Sequence, residues 1–208
     1  MDGTIVDTEP YWIEAEYALV AAHGGEWNDV HAHALVGNAL LDSADYIRTH
    51  GGVDLPSEVI VDTLLDDVIR LATQRIPWRP GARVLIDALA AHGVPCGMVT
   101  MSYASLAGVV AAALPAGSFA TIVTGDQVND GKPHPEAYET AARRLGVDPR
   151  CCVAIEDSPT GVASARAAGC RVVAVPHHVP LAPSPDWTLV SSLTEVTVEW
   201  LQGLVSNG

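Results

Sequence analysis

Four short runs of the 208-residue sequence hold residue types suited to phosphate and metal chemistry. Ile155-Glu156-Asp157-Ser158-Pro159-Thr160-Gly161 places two acids after an apolar run and before a helix start. Paired carboxylates at a strand end suit a hard cation such as Mg2+, although Asp157 or Ser158 would also serve as a plain helix cap. Gly131-Lys132-Pro133-His134-Pro135 contains the only lysine of the chain. An ammonium set between Gly and Pro ahead of a helix is a fixed point charge for a phosphoryl oxygen or a carboxylate; the plainer alternative is a solvated surface lysine. Val99-Thr100-Met101-Ser102 offers a hydroxyl at a strand-to-helix turn, where free amides favour a phosphate, or simply a helix N-cap. Asp2-Gly3-Thr4-Ile5-Val6-Asp7-Thr8 reads alone as a turn-forming loop.

The elements that must position these runs differ in the two parts of the chain. From Pro80 onward, strand-like and helix-like segments alternate: helices over 80–92, 102–113, 135–145 and 158–168, and strands over 95–100, 120–124, 151–155 and 171–175, with a last strand and helix over 187–201. Repeated β-α units imply an α/β fold with a Rossmann-like parallel sheet and helices on both faces, and ligands bind at the carboxyl ends of its strands. Residues 11–75 instead read as helices over 11–23, 40–50 and 56–75, with no strand-like alternation. Charge follows the same division. Residues 1–78 hold 14 acids and 3 bases, a net charge of −11, and the remainder carries −3 of the total −14.

With 49% hydrophobic and 17% charged residues, the chain is expected to fold around a core. Its acidity disfavours nucleic acid or an anionic membrane as partner. The uncharged stretch from Ala88 to Gly125 is cut by Gly and Pro into pieces too short to span a bilayer. No secretory signal opens the chain, and Cys96, Cys151, Cys152 and Cys170 form no C-x-x-C pair. Buried reduced thiols in a cytoplasmic protein are therefore expected. His31-x-His33 and His177-His178 have no acid or thiol at ligand spacing in the sequence and read as solvated loop residues.

Taken together, the four runs resemble the haloacid dehalogenase-like (HAD) hydrolase superfamily, in its β-phosphoglucomutase-like and phosphoglycolate-phosphatase-like group, over essentially the full length. Asp2-Gly3-Thr4-Ile5-Val6-Asp7 matches the end of an Asp-x-Asp-Gly-Thr-x-x-Asp motif, Thr100 the second motif, Lys132 the lysine of Gly-Lys-Pro-x-Pro, and Glu156 to Gly161 the Glu-Asp-Ser-x-x-Gly motif. The resemblance implies a core domain of residues 1–8 and 79–208 and an inserted all-α cap of residues 9–78. It implies a Mg2+-dependent phosphatase acting on a small phosphorylated metabolite through an aspartyl phosphate. Asp2 would be general acid and base, Thr100 and Lys132 would bind phosphoryl oxygens, and Mg2+ would be held by the Asp2 backbone carbonyl, Asp157 and Glu156. A monomer is expected.

The same alignment puts the nucleophilic aspartate one position before Met1, with the apolar strand leading into it also outside this sequence. The 208 residues alone are therefore expected to lack the first core strand, to fold poorly and to be inactive, with a start codon assigned too far downstream as the economical explanation. A non-catalytic phosphometabolite-binding pseudoenzyme is the alternative. A β-phosphoglucomutase-type isomerase is disfavoured, because Trp12 stands where that group carries a His and Gly37-Asn38-Ala39-Leu40 replaces its Gly-x-x-Arg loop.

Overall fold

The computed structural model describes residues 1–206. Four helices come first: α1 (Glu9–Ala22), α2 (Asp29–Leu35), α3 (Leu40–Gly51) and α4 (Ser57–Gln74). The short α2 was not legible in the apolar periodicity; it is nucleated by Asn28, whose side chain accepts from the amides of Val30 and His31. α1, α3 and α4 pack on one another around Leu19, Val20, Ile47, Ile60, Leu64 and Val68, and α4 also packs on the helix Ala104–Ala112 of the following region. The chain enters and leaves this helical segment side by side. Val6 bridges Trp78 in antiparallel fashion, the Asp7 amide donates to Pro77 O at 2.7 Å, and the Arg79 amide donates to Ile5 O at 2.9 Å.

The rest alternates as expected: α5 (Ala82–Ala91), β1 (Gly97–Val99), α6 (Ala104–Ala112), β2 (Thr121–Val123), α7 (Glu136–Leu145), β3 (Val153–Glu156), α8 (Pro159–Ala167), β4 (Arg171–Ala174), β5 (Thr188–Leu189) and α9 (Val198–Ser206). Every strand pair is parallel. Successive residues of β4 feed opposite layers, as the period-2 alternation of a strand requires. Val173 packs with Leu85, Leu193 and Leu201, whereas Val172 and Ala174 pack with Val162 and Ala165 of α8. Helices thus cover both faces.

The parallel sheet is nevertheless in two pieces. β1 pairs with β2, and β3 pairs with β4 and β4 with β5, but β1 and β3 do not pair with each other. Between them lies an apolar cavity of about 360 Å3, lined by residues 96–99 on one side, by 153–155 on the other, and by Met1. The two inner edges therefore face a slot rather than a neighbouring strand.

All four cysteines are free, but none is buried as expected: Cys96, Cys152 and Cys170 are half-buried, and Cys151 is exposed because it ends a short 3-10 turn on the surface ahead of β3. Among the described residues, no helix is long and apolar enough to cross a membrane.

Candidate active site

The five residues singled out from sequence meet at the carboxyl ends of the parallel strands. Thr100 follows β1 directly, Glu156 is the last residue of β3, Asp157 follows it, and Lys132 lies in the loop before α7. Asp2 sits in the opening loop. Gly3 lets that loop approach: it holds φ at +69°, and a side chain there would run into the Asp157 carboxylate. Gly161, in the first turn of α8, similarly leaves room for the Glu156 carboxylate. Ser158 caps α8, its hydroxyl accepting from the Gly161 amide at 3.1 Å, with Pro159 opening the helix.

Lys132 and Glu156 form an ion pair with side chains only 8% and 5% exposed. The ammonium also donates to Val99 O at 3.3 Å, and Tyr138 of α7 donates its hydroxyl to the same Glu156 oxygen. Burial alone would raise the Glu156 carboxyl, but the Lys132 ammonium and the hydrogen bonds from Lys132 and Tyr138 hold it below its ordinary value. Asp157 goes the other way. Burial and the neighbouring Glu156 charge push its carboxyl up, against the Thr4 hydroxyl that donates to it at 2.6 Å. Among the described residues, Asp157 has no basic side chain within salt-bridge distance.

The Asp2 carboxylate is fixed by three hydroxyls. Thr8 donates to one oxygen at 2.5 Å; Ser102 at 2.8 Å and Thr100 at 3.1 Å donate to the other. Thr100 is itself positioned by the Ser102 amide, which donates to its oxygen at 3.1 Å. Ser102, Thr8 and Tyr138 extend the set chosen from sequence. Ser102 and Thr8 stood inside two of the four runs, but nothing in their spacing shows that both point at Asp2; Tyr138 carried no signal beyond its helical position.

These groups line a polar cavity of about 100 Å3 whose opposite wall comes from the helical segment, including Glu9, Trp12, Glu16, Asn38 and Ser43. Burial and the nearby Glu16, Asp2 and Asp157 charges push the Glu9 carboxyl up to about 8. Burial likewise pushes Glu16 up to about 7, against a hydrogen bond from the Trp27 indole at 3.2 Å.

The paired histidines keep access to solvent but are engaged by an acid rather than free. His178 approaches Asp7 at 2.8 Å and His177 at 3.0 Å, and Arg79 contacts the His177 ring. Burial raises the Asp7 carboxyl, but the two imidazoles hold it below its ordinary value. Their acid partner lies 171 residues away from His178, beyond the reach of any local spacing rule. His31 is likewise engaged, stacked on Trp27 at 4.9 Å between ring centroids.

Residues 1–169 match the family described as haloacid dehalogenase-like hydrolase. Hexitol phosphatase A of Escherichia coli is 34% identical over 202 residues, covering 95% of this chain and 91% of its own. Validoxylamine A 7'-phosphate phosphatase of Streptomyces hygroscopicus subsp. limoneus is 32% identical over 205 residues, covering 94% and 92%. The crystal structure of CbbY from Rhodobacter sphaeroides in complex with xylulose-1,5-bisphosphate superposes with a TM-score of 0.85 at 26% identity, over 97% of this chain and 96% of that one.

Proposed function

Because the chain belongs to the haloacid dehalogenase-like hydrolase family, we propose that it is a Mg2+-dependent phosphatase of a small sugar phosphate or related ester, with an aspartate immediately before Met1 as nucleophile. The observation that carries this reading is the meeting of Asp2, Thr100, Lys132, Glu156 and Asp157 around one small polar cavity. The slot between β1 and β3 fits the same reading: it is apolar and is walled by residues 96–99 and 153–155, and a strand filling it would deliver its last residue beside Asp2 and Asp157. The helical segment of residues 9–78 is then a cap, hinged where residues 6–7 run beside 77–78.

Each residue has a chemical task. The nucleophilic carboxylate forms a bond to phosphorus as the bond to the ester oxygen breaks, and Asp2 gives its proton to the departing alkoxide. Asp2 then takes a proton from the water that attacks the aspartyl phosphate, releasing phosphate and restoring the carboxylate. The hydroxyls of Thr8 and Ser102 hold Asp2 in place, and Thr100 turns its hydroxyl from Asp2 to a phosphoryl oxygen. Lys132 places its ammonium against the transferring group, oriented by Glu156 and Tyr138.

The donor set fits the metal. Asp157 is a half-buried carboxyl with no basic side chain against it and would be one oxygen ligand, with the Asp2 backbone carbonyl as a second hard donor. Mg2+ binds through one or two carboxylates and keeps several waters, so two donors here plus the nucleophile are sufficient. Glu156 is committed to Lys132 and would act on the ion through water. Bound there, Mg2+ offsets repulsion between a carboxylate nucleophile and a phosphate dianion.

The test is phosphate release from an aryl phosphate by the N-terminally extended chain with and without Mg2+. Metal-dependent turnover supports the reading; a folded extended protein without turnover would favour a phosphometabolite-binding pseudoenzyme. For the 208 residues by themselves, with the sheet in two pieces, we propose inactivity.

A further inference from the structure

The phosphatase chemistry leaves Asp7, Arg79, His177 and His178 without a task. Asp7 lies on the run that enters the helical segment and Arg79 on the run that leaves it, joined by the Val6–Trp78 bridge. His177 and His178 lie on the loop after β4. No acid stands near the two histidines along the chain, but the fold supplies one. His177 Nε2 is 3.0 Å and His178 Nε2 2.8 Å from the same Asp7 oxygen, and the three atoms lie within 4.8 Å of one another. His177 Nε2 is shut off from solvent and, although close to Asp7, is not aligned for a hydrogen bond to it or to any other described residue. Nδ1 of the same ring touches Arg79.

We infer that Asp7, His177 and His178 form a transition-metal site that takes Zn2+ through two imidazole nitrogens and one carboxylate oxygen. Imidazole with carboxylate suits Zn2+, whereas the set at Asp2 and Asp157 offers oxygen alone and suits Mg2+. With bonds of about 2.1 Å, tetrahedral ligand atoms stand about 3.4 Å apart. The two His–Asp distances therefore need to open by only a few tenths of an ångström. Water takes the fourth position and can reach it, since His178 lines the polar cavity and the three side chains are 21% to 33% exposed. Burial favours a neutral His177 ring, the form that binds metal. Arg79 is the opposing element. A guanidinium donates and cannot accept, so its contact with Nδ1 sets the His177 proton on Nε2. When Zn2+ takes Nε2, that proton shifts to Nδ1 and Arg79 withdraws. Zn2+ and Arg79 thus compete for one imidazole, and the occupied site ties the run entering the helical segment to the loop after β4.

The test uses the tag-free, N-terminally extended chain in saturating Mg2+. Calorimetric titration should find one Zn2+ per chain that Mg2+ does not displace, and pulsed electron paramagnetic resonance of Cu2+ bound in its place should show imidazole nitrogens coupled to the ion. His178→Gln and Asp7→Asn should each weaken Zn2+ at least about tenfold, no less than loss of an outer-sphere partner costs. The double variant His177→Gln/His178→Gln should lose the nitrogen coupling. Arg79→Gln should tighten Zn2+ at least about fivefold, the effect of one unit charge ~4 Å away in water. That last variant is read as a gain, so it decides the matter even where a ligand variant fails to fold. No Zn2+ held in saturating Mg2+, nitrogen coupling that persists in the folded double variant, or an affinity unchanged by Arg79→Gln overturns the inference. None of these readouts depends on turnover, so they stand apart from the test of the phosphatase reading.

Discussion

Met1 lines two cavities of opposite character. On one side is the apolar slot between the half-sheets, walled by β1 and β3; on the other is the polar cavity that gathers Asp2, Lys132 and Asp157. The slot is about 360 Å3 and the polar cavity about 100 Å3. The larger space is a matter of sheet construction, and the smaller one of chemistry. Their junction shows how the two depend on each other. On the proposed reading a strand filling the slot would end beside Asp2 and Asp157, so that completing the sheet would also complete the catalytic group.

The comparison is broken most forcefully from the apolar side. An aliphatic strand added ahead of Met1 would bury about four side chains at ~1.5–3 kcal/mol each, or roughly 6–12 kcal/mol. Urea unfolding of the extended and 208-residue chains is expected to differ by an amount of that order, with the larger m-value for the extended chain. Similar midpoints would mean that the slot is no strand site. Introducing two charged residues into the added strand should abolish most of the gain.

From the polar side, Lys132→Met leaves Glu156 buried without its counter-charge, and breaking such a pair costs about 3–5 kcal/mol. The folded Glu156 carboxyl is held below its ordinary value with Lys132 present. The stability of that pair is therefore complete above the ordinary Glu range and is lost as pH falls through the lower, folded value. The unmodified protein should lose its advantage over the variant below about pH 4, as followed by thermal unfolding at a series of pH values.

Asp2→Asn tests the chemistry with little change in shape, since the amide can still accept on one side from Thr8 or from Ser102 and Thr100, and can donate its NH2 to the hydroxyl on the other. In the extended chain it is expected to lower kcat by about 10²–10⁴, the usual weight of a positioned proton donor and acceptor, while the melting temperature moves little. A loss confined to KM would assign Asp2 to binding.

The smallest effect concerns the helical wall. Glu16 is 4% exposed, and burial raises its carboxyl to about 7. A carboxyl raised on folding binds its proton more tightly in the native state, so its contribution is full below the unfolded value and is lost as pH rises through the folded one. Stability should therefore fall between about pH 5 and pH 7.5 by up to roughly 3 kcal/mol. Glu16→Gln, which can still accept from Trp27, should flatten that fall in chemical-denaturation curves.

What could be read from sequence follows the range of the signals involved. Thr100, Lys132, Glu156 and Asp157 stood out because each precedes a helix start, where Gly, Pro and capping residues mark the place, whereas the Asp2 run read alone as a turn-forming loop and only the resemblance singled it out. The parallel strands and the long helices α1, α3 and α4 were visible through apolar spacing. The pairing of Asp7 with His177 and His178, the hydroxyls of Thr8 and Ser102 turned on Asp2, and the Tyr138 bond to Glu156 were not, since side-chain direction and contacts across the fold leave no periodic trace. α2 depends on a single capping side chain, Asn28, and has too few turns to show an apolar stripe.

The account rests on a carboxylate delivered beside Asp2 by a strand that fills the slot. The most direct measurement is Mg2+-dependent phosphate release from an aryl phosphate by three proteins: the 208-residue chain, the chain extended by an aliphatic strand ending in aspartate, and the same extension ending in asparagine. Turnover by the aspartate-ended protein alone, with both extended proteins equally folded, is the predicted result. Equal turnover by the asparagine-ended protein or by the 208-residue chain, or no turnover by the folded aspartate-ended one, would contradict it.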